Sequence, residues 1–172
     1  MRWKWSRIWS DGCARVVFFV GAKDGKRNPP WSRGLGDVSK GQMQGWASQR
    51  PFLTEAMDTQ RPGVVIEIGV WKGASSITMA RRLQELGMDG AVIAVDTWLG
   101  AWDHWIKPEW KEELCLFNGY PHLFEKFQAN VVHAGLENFV VPLPLDSVNA
   151  SHVVGHNGIQ ADVIHIDGGH DY

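Results

Sequence analysis

Apolar residues in this chain fall into short unbroken runs separated by stretches of helical period. Val64-Val65-Ile66-Glu67-Ile68 is apolar on both faces except at Glu67, and Ala91 to Val95 is apolar throughout. Phe139-Val140-Val141 supplies a further run, and Ala161 to Ile166, interrupted by Asp162 and His165, reads as a fourth strand. A strand without polar alternation is covered on both faces, as in a parallel sheet. Between the runs, Ser75 to Leu86 sets Met79, Leu83 and Leu86 on one helical face, with Gly87 as a C-terminal stop. Tyr120 to His133 carries the stripe Leu123, Phe124, Phe127 and Val131, and Ser147 to Gly155 reads as a short helix. The order β-α-β-α-β-α-β with helix-length connections predicts an α/β fold, a Rossmann-like doubly wound parallel sheet, of which this chain carries four strands.

The flanking segments carry weaker patterns. Residues 1–40 read as a poorly structured, basic, tryptophan-containing segment, ahead of a domain spanning 41–172. Gln42 to Asp58 holds Met43, Trp46, Phe52, Leu53 and Met57 partly at helical spacing, and Pro51 has to open a helix, so two short helices are expected. Trp98 to Trp110 is dense in tryptophan and reads as irregular.

Net charge is −2 over 172 residues, so no whole-chain field recruits nucleic acid. The charge is uneven: residues 1–33 hold eight Lys/Arg against two Asp/Glu, and the remainder is acidic. Cys13 and Cys115 are too few for a disulfide framework and lack metal-ligand spacing, which points to free thiols in a reducing compartment. No apolar run reaches the ~18 residues of a membrane span. Val16 to Ala22 after a basic start faintly imitates a signal peptide, but it is short and Asp11 interrupts the approach. The expectation is a cytoplasmic protein with no membrane and no nucleic-acid partner. Oligomeric state stays open, a homo-oligomer included.

The chemistry gathers at strand ends. Glu67-Ile68-Gly69, Asp96-Thr97, Asp146-Ser147 and Asp167-Gly168 each follow or close a strand. Parallel strands present their carboxyl ends on one edge, so these carboxylates converge there although each alone would pass as a cap or turn residue. Gly69 and Gly73 bracket a turn after the first strand, and Ser75 or Ser76 can cap the helix that follows. The spacing is Gly69-x-x-x-Gly73, neither the G-x-G-x-x-G of a pyrophosphate cradle nor a phosphate-binding P-loop. A ligand with a ribose and an amino acid moiety but no phosphates fits better: Asp96 can accept both ribose hydroxyls, and Glu67 can serve an ammonium.

Three pieces in order, Val65 to Ser75, Ala94-Val95-Asp96-Thr97-Trp98-Leu99-Gly100 and Asp162 to Tyr172, resemble the class I S-adenosylmethionine (SAM)-dependent methyltransferases. Within these they resemble the group of macrocin-type sugar O-methyltransferases and cephalosporin hydroxylase-like proteins. The resemblance covers about Trp46 to Tyr172. It implies that Glu67, Gly69, Gly73 and Ser75 line the methionine end of SAM. Asp96 would bind the ribose, Thr97 and Trp98 would lie near the adenine, and Asp146 and Ser147 at its edge. It further implies Mg²⁺ on Asp167, with His170 taking the proton of a small hydroxylated acceptor, a sugar or a phenol. One Asp does not hold Mg²⁺, which wants several oxygen ligands.

His170 reads alternatively as a residue orienting the Asp167 loop, and His165 as a hydrogen-bonded core histidine. Trp98, Trp102, Trp105 and Trp110, with Asp103 and His104, read as an aromatic lid over adenine or acceptor, or as a hydrophobic cap on an irregular insert. The chain stops before the family's fifth strand, so a truncated product, inactive as given, is expected. The rival readings are a non-catalytic SAM-binding module and, disfavoured by the glycine spacing, a nicotinamide-dependent or hydroxylase-like protein.

Overall fold

The structure is a computed structural model and describes residues 51–168, together with the backbone of strands β1 (Trp5–Ser10) and β2 (Cys13–Phe18). These two pair antiparallel, Ser10 opposite Cys13. The sequence reading placed no regular element here, yet Asp11-Gly12 between two runs is a strong hairpin signal. The rest of that segment, and the first of the two helices expected over 42–58, lie outside the described residues.

Pro51 opens α1 (Pro51–Gln60), as expected from a residue that lacks the N–H an interior turn needs. Then follow β3 (Val64–Ile68), α2 (Ala74–Glu85), β4 (Ala91–Val95), α3 (Trp102–Ile106), α4 (Pro108–Lys111) and a 3₁₀ turn, Glu112–Leu114. The chain continues through α5 (Leu123–His133), β5 (Val140–Leu143), α6 (Ser147–His156) and β6 (Val163–Ile166). The insert expected to be irregular therefore contains two short helices, one opened by Pro108.

The four parallel strands run β5-β4-β3-β6. Register sets Val65 beside Val92 and Val163, so alternate residues define the two faces. One face packs Val65, Val92, Ala94 and Val140 with residues of α1, α2 and α5, Met57, Leu83 and Phe127 among them. The other packs Ile66, Ile93 and Val95 with Ala150 of α6. The chain builds outward from β3 to β5, then α6 crosses to β6 on the far side of β3. Strand direction of build reverses between β3 and β6, where open α/β sheets form a crevice at their carboxyl edge.

Candidate ligand-binding site

The loop after β3 is held in an uncommon backbone form. Gly69 has φ +85°, and a Cβ there would lie 2.4 Å from the backbone N and Cα of Gly168. The β3 and β6 loops touch backbone to backbone at the crevice, an approach open only to glycine. Gly73 has φ +88°, and a Cβ on it would meet the Phe127 ring at 2.6 Å. Between them Trp71 itself takes φ 55°.

Asp96 holds this loop. Its Oδ2 accepts the N–H groups of Val70 (2.8 Å) and Trp71 (2.9 Å), and its Oδ1 accepts that of Trp98 (2.7 Å). A carboxylate that answers two consecutive loop N–H groups binds the β3 loop to the end of β4.

Around these residues lies a cavity of about 710 Å³ at the carboxyl edge of the sheet. It brings together Gly69, Ser75, Asp96, Thr97, Asp146, Ser147 and Asp167, all expected at the site. Asp103, His104 and Trp110 of the expected lid or cap also line it, together with Lys72, to which the sequence assigned no role. The volume lies in the range of about 300–1,000 Å³ usual for small-molecule sites.

Glu67, Gly73 and Trp98 do not line the cavity, Gly73 being turned onto the Phe127 ring. Glu67 is wholly buried and accepts the hydroxyls of both Ser75 and Ser76, with His165 Nδ1 3.1 Å from its Oε1. The serines expected to cap α2 are therefore spent on Glu67, and Gly73 is the N-cap with no side-chain bond. His165 is the hydrogen-bonded core histidine its strand position suggests. Trp98 is 2% exposed, its ring 4.8 Å from those of Phe124 and Phe127. Its Nε1–H donates to the Trp71 carbonyl at 2.8 Å, so it props the loop from behind.

Asp146 both lines the cavity and caps α6: it accepts the N–H groups of Val148 and Asn149 and the Asn149 side-chain amide. The Asn149 hydrogen bonds hold its carboxyl below the usual range. The backbone N–H of Asp167 donates to Ile68 O at 2.8 Å. His170 lies outside the described residues. Among the described residues no group of three or more His, Cys, Asp or Glu side chains could hold a metal ion, so Asp167 does not have the carboxylate company that Mg²⁺ wants.

Lys72 connects the glycine loop to the tryptophan-rich insert. Its side chain is 2% exposed, its ammonium pairs with Glu113, and it lies 5.7 Å from the Trp71 ring centroid. The Lys72 hydrogen bond holds the Glu113 carboxyl below its ordinary range. A depressed folded-state value means this contribution is present above the unfolded carboxylate range and is lost as pH falls through the folded one. Glu113→Gln should destabilise the protein by about 2 kcal/mol at neutral pH, between the value of a surface pair and that of a fully buried one, because Glu113 is half in solvent. The difference from wild type should shrink as pH falls into the acid range; urea denaturation at pH 7 and near pH 3 checks both, and a pH-independent difference would refute the pairing.

A parallel doubly wound sheet with an acidic, glycine-edged cavity at its carboxyl ends defines a nucleotide-type cofactor domain. Residues 66–172 match the family described as methyltransferase domain, and the chain belongs to that family. Among solved structures it is similar to the O-methyltransferase TomG from Streptomyces achromogenes, involved in tomaymycin synthesis, in complex with SAM. That likeness has 18% identity and TM-score 0.51, covering 73% of this chain and 46% of that one. It is also similar to the O-methyltransferase from Bacillus cereus in complex with S-adenosylhomocysteine (SAH), at 19% identity and TM-score 0.49, covering 74% and 47%. The chain thus spans about half the length of these structures. The sequence matches no curated protein.

Proposed function

We propose that the chain is the SAM-binding part of an O-methyltransferase acting on a small hydroxylated acceptor, a sugar or a phenol. The observation that carries this reading is the meeting of Gly69, Asp96 and Asp146 on one cavity beside the β3–β6 crevice. Residues 41–172 form the SAM-binding methyltransferase domain in this reading, as an incomplete unit, in a cytoplasmic protein. Gly69 lets the β3 and β6 loops meet backbone to backbone at the cavity, Ser75 stands at the start of α2, and Asp96 offers a carboxylate oxygen. Thr97 and Ser147 complete the cradle, and Gly73 serves it from behind, closing the loop against the Phe127 ring. Glu67 acts through Ser75, and Trp98 acts by holding Trp71.

SAM, when bound, supplies an electrophilic methyl group on a sulfonium, so the protein's work is placement of a hydroxyl in line with it. Asp167 would face the acceptor, with His170 as the proton-accepting base. Mg²⁺ assistance would require oxygen ligands beside Asp167 that the described residues do not provide, so no step is drawn through it. The second reading is a non-catalytic SAM-binding module.

Calorimetry with SAH separates these. Wild type should bind it, and Asp96→Ala should weaken binding at least tenfold, or about 1.4 kcal/mol, by removing the ribose acceptor and freeing the Val70 and Trp71 N–H groups. Absence of heat with wild type at millimolar SAH would refute both readings. Binding without methyl transfer to phenolic or sugar acceptors would leave the module.

A further inference from the structure

Asp96 cannot hold a ribose alone. A carboxylate offers about four lone-pair sites. Two on Oδ2 are taken by the N–H groups of Val70 and Trp71, and one on Oδ1 by that of Trp98. One site remains on Oδ1, enough for one hydroxyl of the vicinal pair. The second hydroxyl needs another partner on the cavity wall.

Most polar side chains on the wall are engaged elsewhere. The Ser75 hydroxyl donates to Glu67, and the Lys72 ammonium is paired with Glu113. Asp146 accepts the N–H groups of Val148 and Asn149 on Oδ1 and the Asn149 side-chain amide on Oδ2, which leaves it one site, at the start of α6. Thr97 Oγ1 accepts the Leu99 N–H at 3.3 Å and keeps its own proton.

His104 is differently placed. It lines the cavity from α3, its ring 4.4 Å from that of Trp71 and edge-on to that of Trp110 at 5.6 Å. Trp71 is also the residue whose backbone N–H holds Asp96 Oδ2, so the His104 ring packs on the side chain of a residue that anchors the carboxylate. Nδ1 accepts the Ala101 N–H at 3.0 Å. Asp103 Oδ1 lies 3.1 Å from the same nitrogen, but Nδ1 has one in-plane site and the Ala101 N–H fills it. Asp103 finds its counter-charge in Lys107 Nζ at 3.5 Å. A ring whose Nδ1 accepts carries its proton on Nε2. Nε2 makes no hydrogen bond to any described residue.

We infer that His104 Nε2–H is the second ribose contact: it donates to the oxygen of the hydroxyl that Asp96 has no site to accept, so that a helical residue of the tryptophan-rich insert completes cofactor recognition. This rests on the SAM reading above. It also gives the insert a purpose: α3 delivers one polar atom, held in place by two indole rings and a backbone N–H. The alternative is a capping role alone, since His104 accepts the N–H of the residue that opens α3.

Calorimetry with SAH and with its 2′-deoxy and 3′-deoxy analogues distinguishes the two. His104→Leu should weaken SAH binding about tenfold, the weight of one hydrogen bond in a closed site. For one of the two analogues, the one lacking the contacted hydroxyl, wild type and H104L should bind alike. His104→Gln, which keeps an N–H donor, should recover part of the loss. Equal weakening of SAH and both analogues would assign His104 to capping and overturn the inference. So would unchanged SAH affinity, or a hydroxyl-specific loss that appears in Thr97→Val instead. Should H104L fail to fold by circular dichroism, H104Q carries the same comparison: retention of the deoxy discrimination supports the contact and its loss opposes it. No SAH binding by wild type would refute the SAM reading itself and this inference with it.

Discussion

Gly69→Ala should destabilise the fold by about 2–5 kcal/mol and abolish measurable SAH binding. Two separate penalties combine. The backbone at Gly69 sits at φ +85°, a left-handed form that adds about 1–2 kcal/mol for a residue with a Cβ. The new methyl would also lie 2.4 Å from backbone atoms of Gly168, which cannot rotate away as a side chain could. Overpacking of that kind adds about 1–3 kcal/mol and separates the β3 and β6 loops. Gly87→Ala isolates the first penalty, because Gly87 has φ +64° with nothing within 4 Å of the added carbon. Urea denaturation of both variants should place G87A about 1–2 kcal/mol below wild type and G69A well below that. Equal losses would show that the crevice tolerates a methyl and that the loop contact is looser than described.

The fold was legible because the strands are apolar on both faces and the helices are striped. Hydrophobic period reports burial directly, so Val64–Ile68, Ala91–Val95 and the α2 and α5 stripes appear where expected. The convergence of Asp96, Asp146 and Asp167 followed from topology alone, since parallel strands end on one edge. What sequence could not supply was the direction of individual side chains. Trp98 follows a ribose-type aspartate, and its neighbours gave no sign that its ring turns inward onto Phe124 and Phe127. Ser75 and Ser76 stand where N-caps stand, but a buried carboxylate eight and nine residues earlier competes for both hydroxyls and wins because it has no water to turn to. His104 carries a signal that could have been used: it stands three residues after the residue opening α3, where a side-chain acceptor meets the N-cap N–H. Reading it required the helix in the insert, which the tryptophan density concealed. The hairpin of β1 and β2 was announced by Asp11-Gly12 and overlooked because basic and aromatic residues alternate around it.

Glu67→Leu should be the other severe substitution, at about 3–5 kcal/mol, and its loss should arise from stability before ligand binding. Glu67 has no exposed surface, and three groups converge on its carboxylate: the Ser75 and Ser76 hydroxyls and His165 Nδ1. Leucine fills similar space but accepts nothing. Ser76, itself fully buried, would then be left without its acceptor, at about 1–3 kcal/mol, and His165 would lose its Glu67 contact. The loss should therefore be shared: Glu67→Leu combined with Ser76→Ala should be less destabilised than the sum of the two singles, by about 1–2 kcal/mol, because the second change removes a donor already stranded by the first. Glu67→Gln keeps one acceptor oxygen and should fall between. Urea denaturation of the four proteins in this cycle, with SAH calorimetry at a temperature where each is folded, measures the coupling and the ligand effect separately. A Glu67→Leu protein as stable as wild type but unable to bind SAH would place the carboxylate's partner in the ligand, in line with the ammonium contact expected from its position at the end of β3. A destabilised protein whose folded fraction binds SAH within about threefold of wild type would place it in the protein, as the burial and the three hydrogen bonds require.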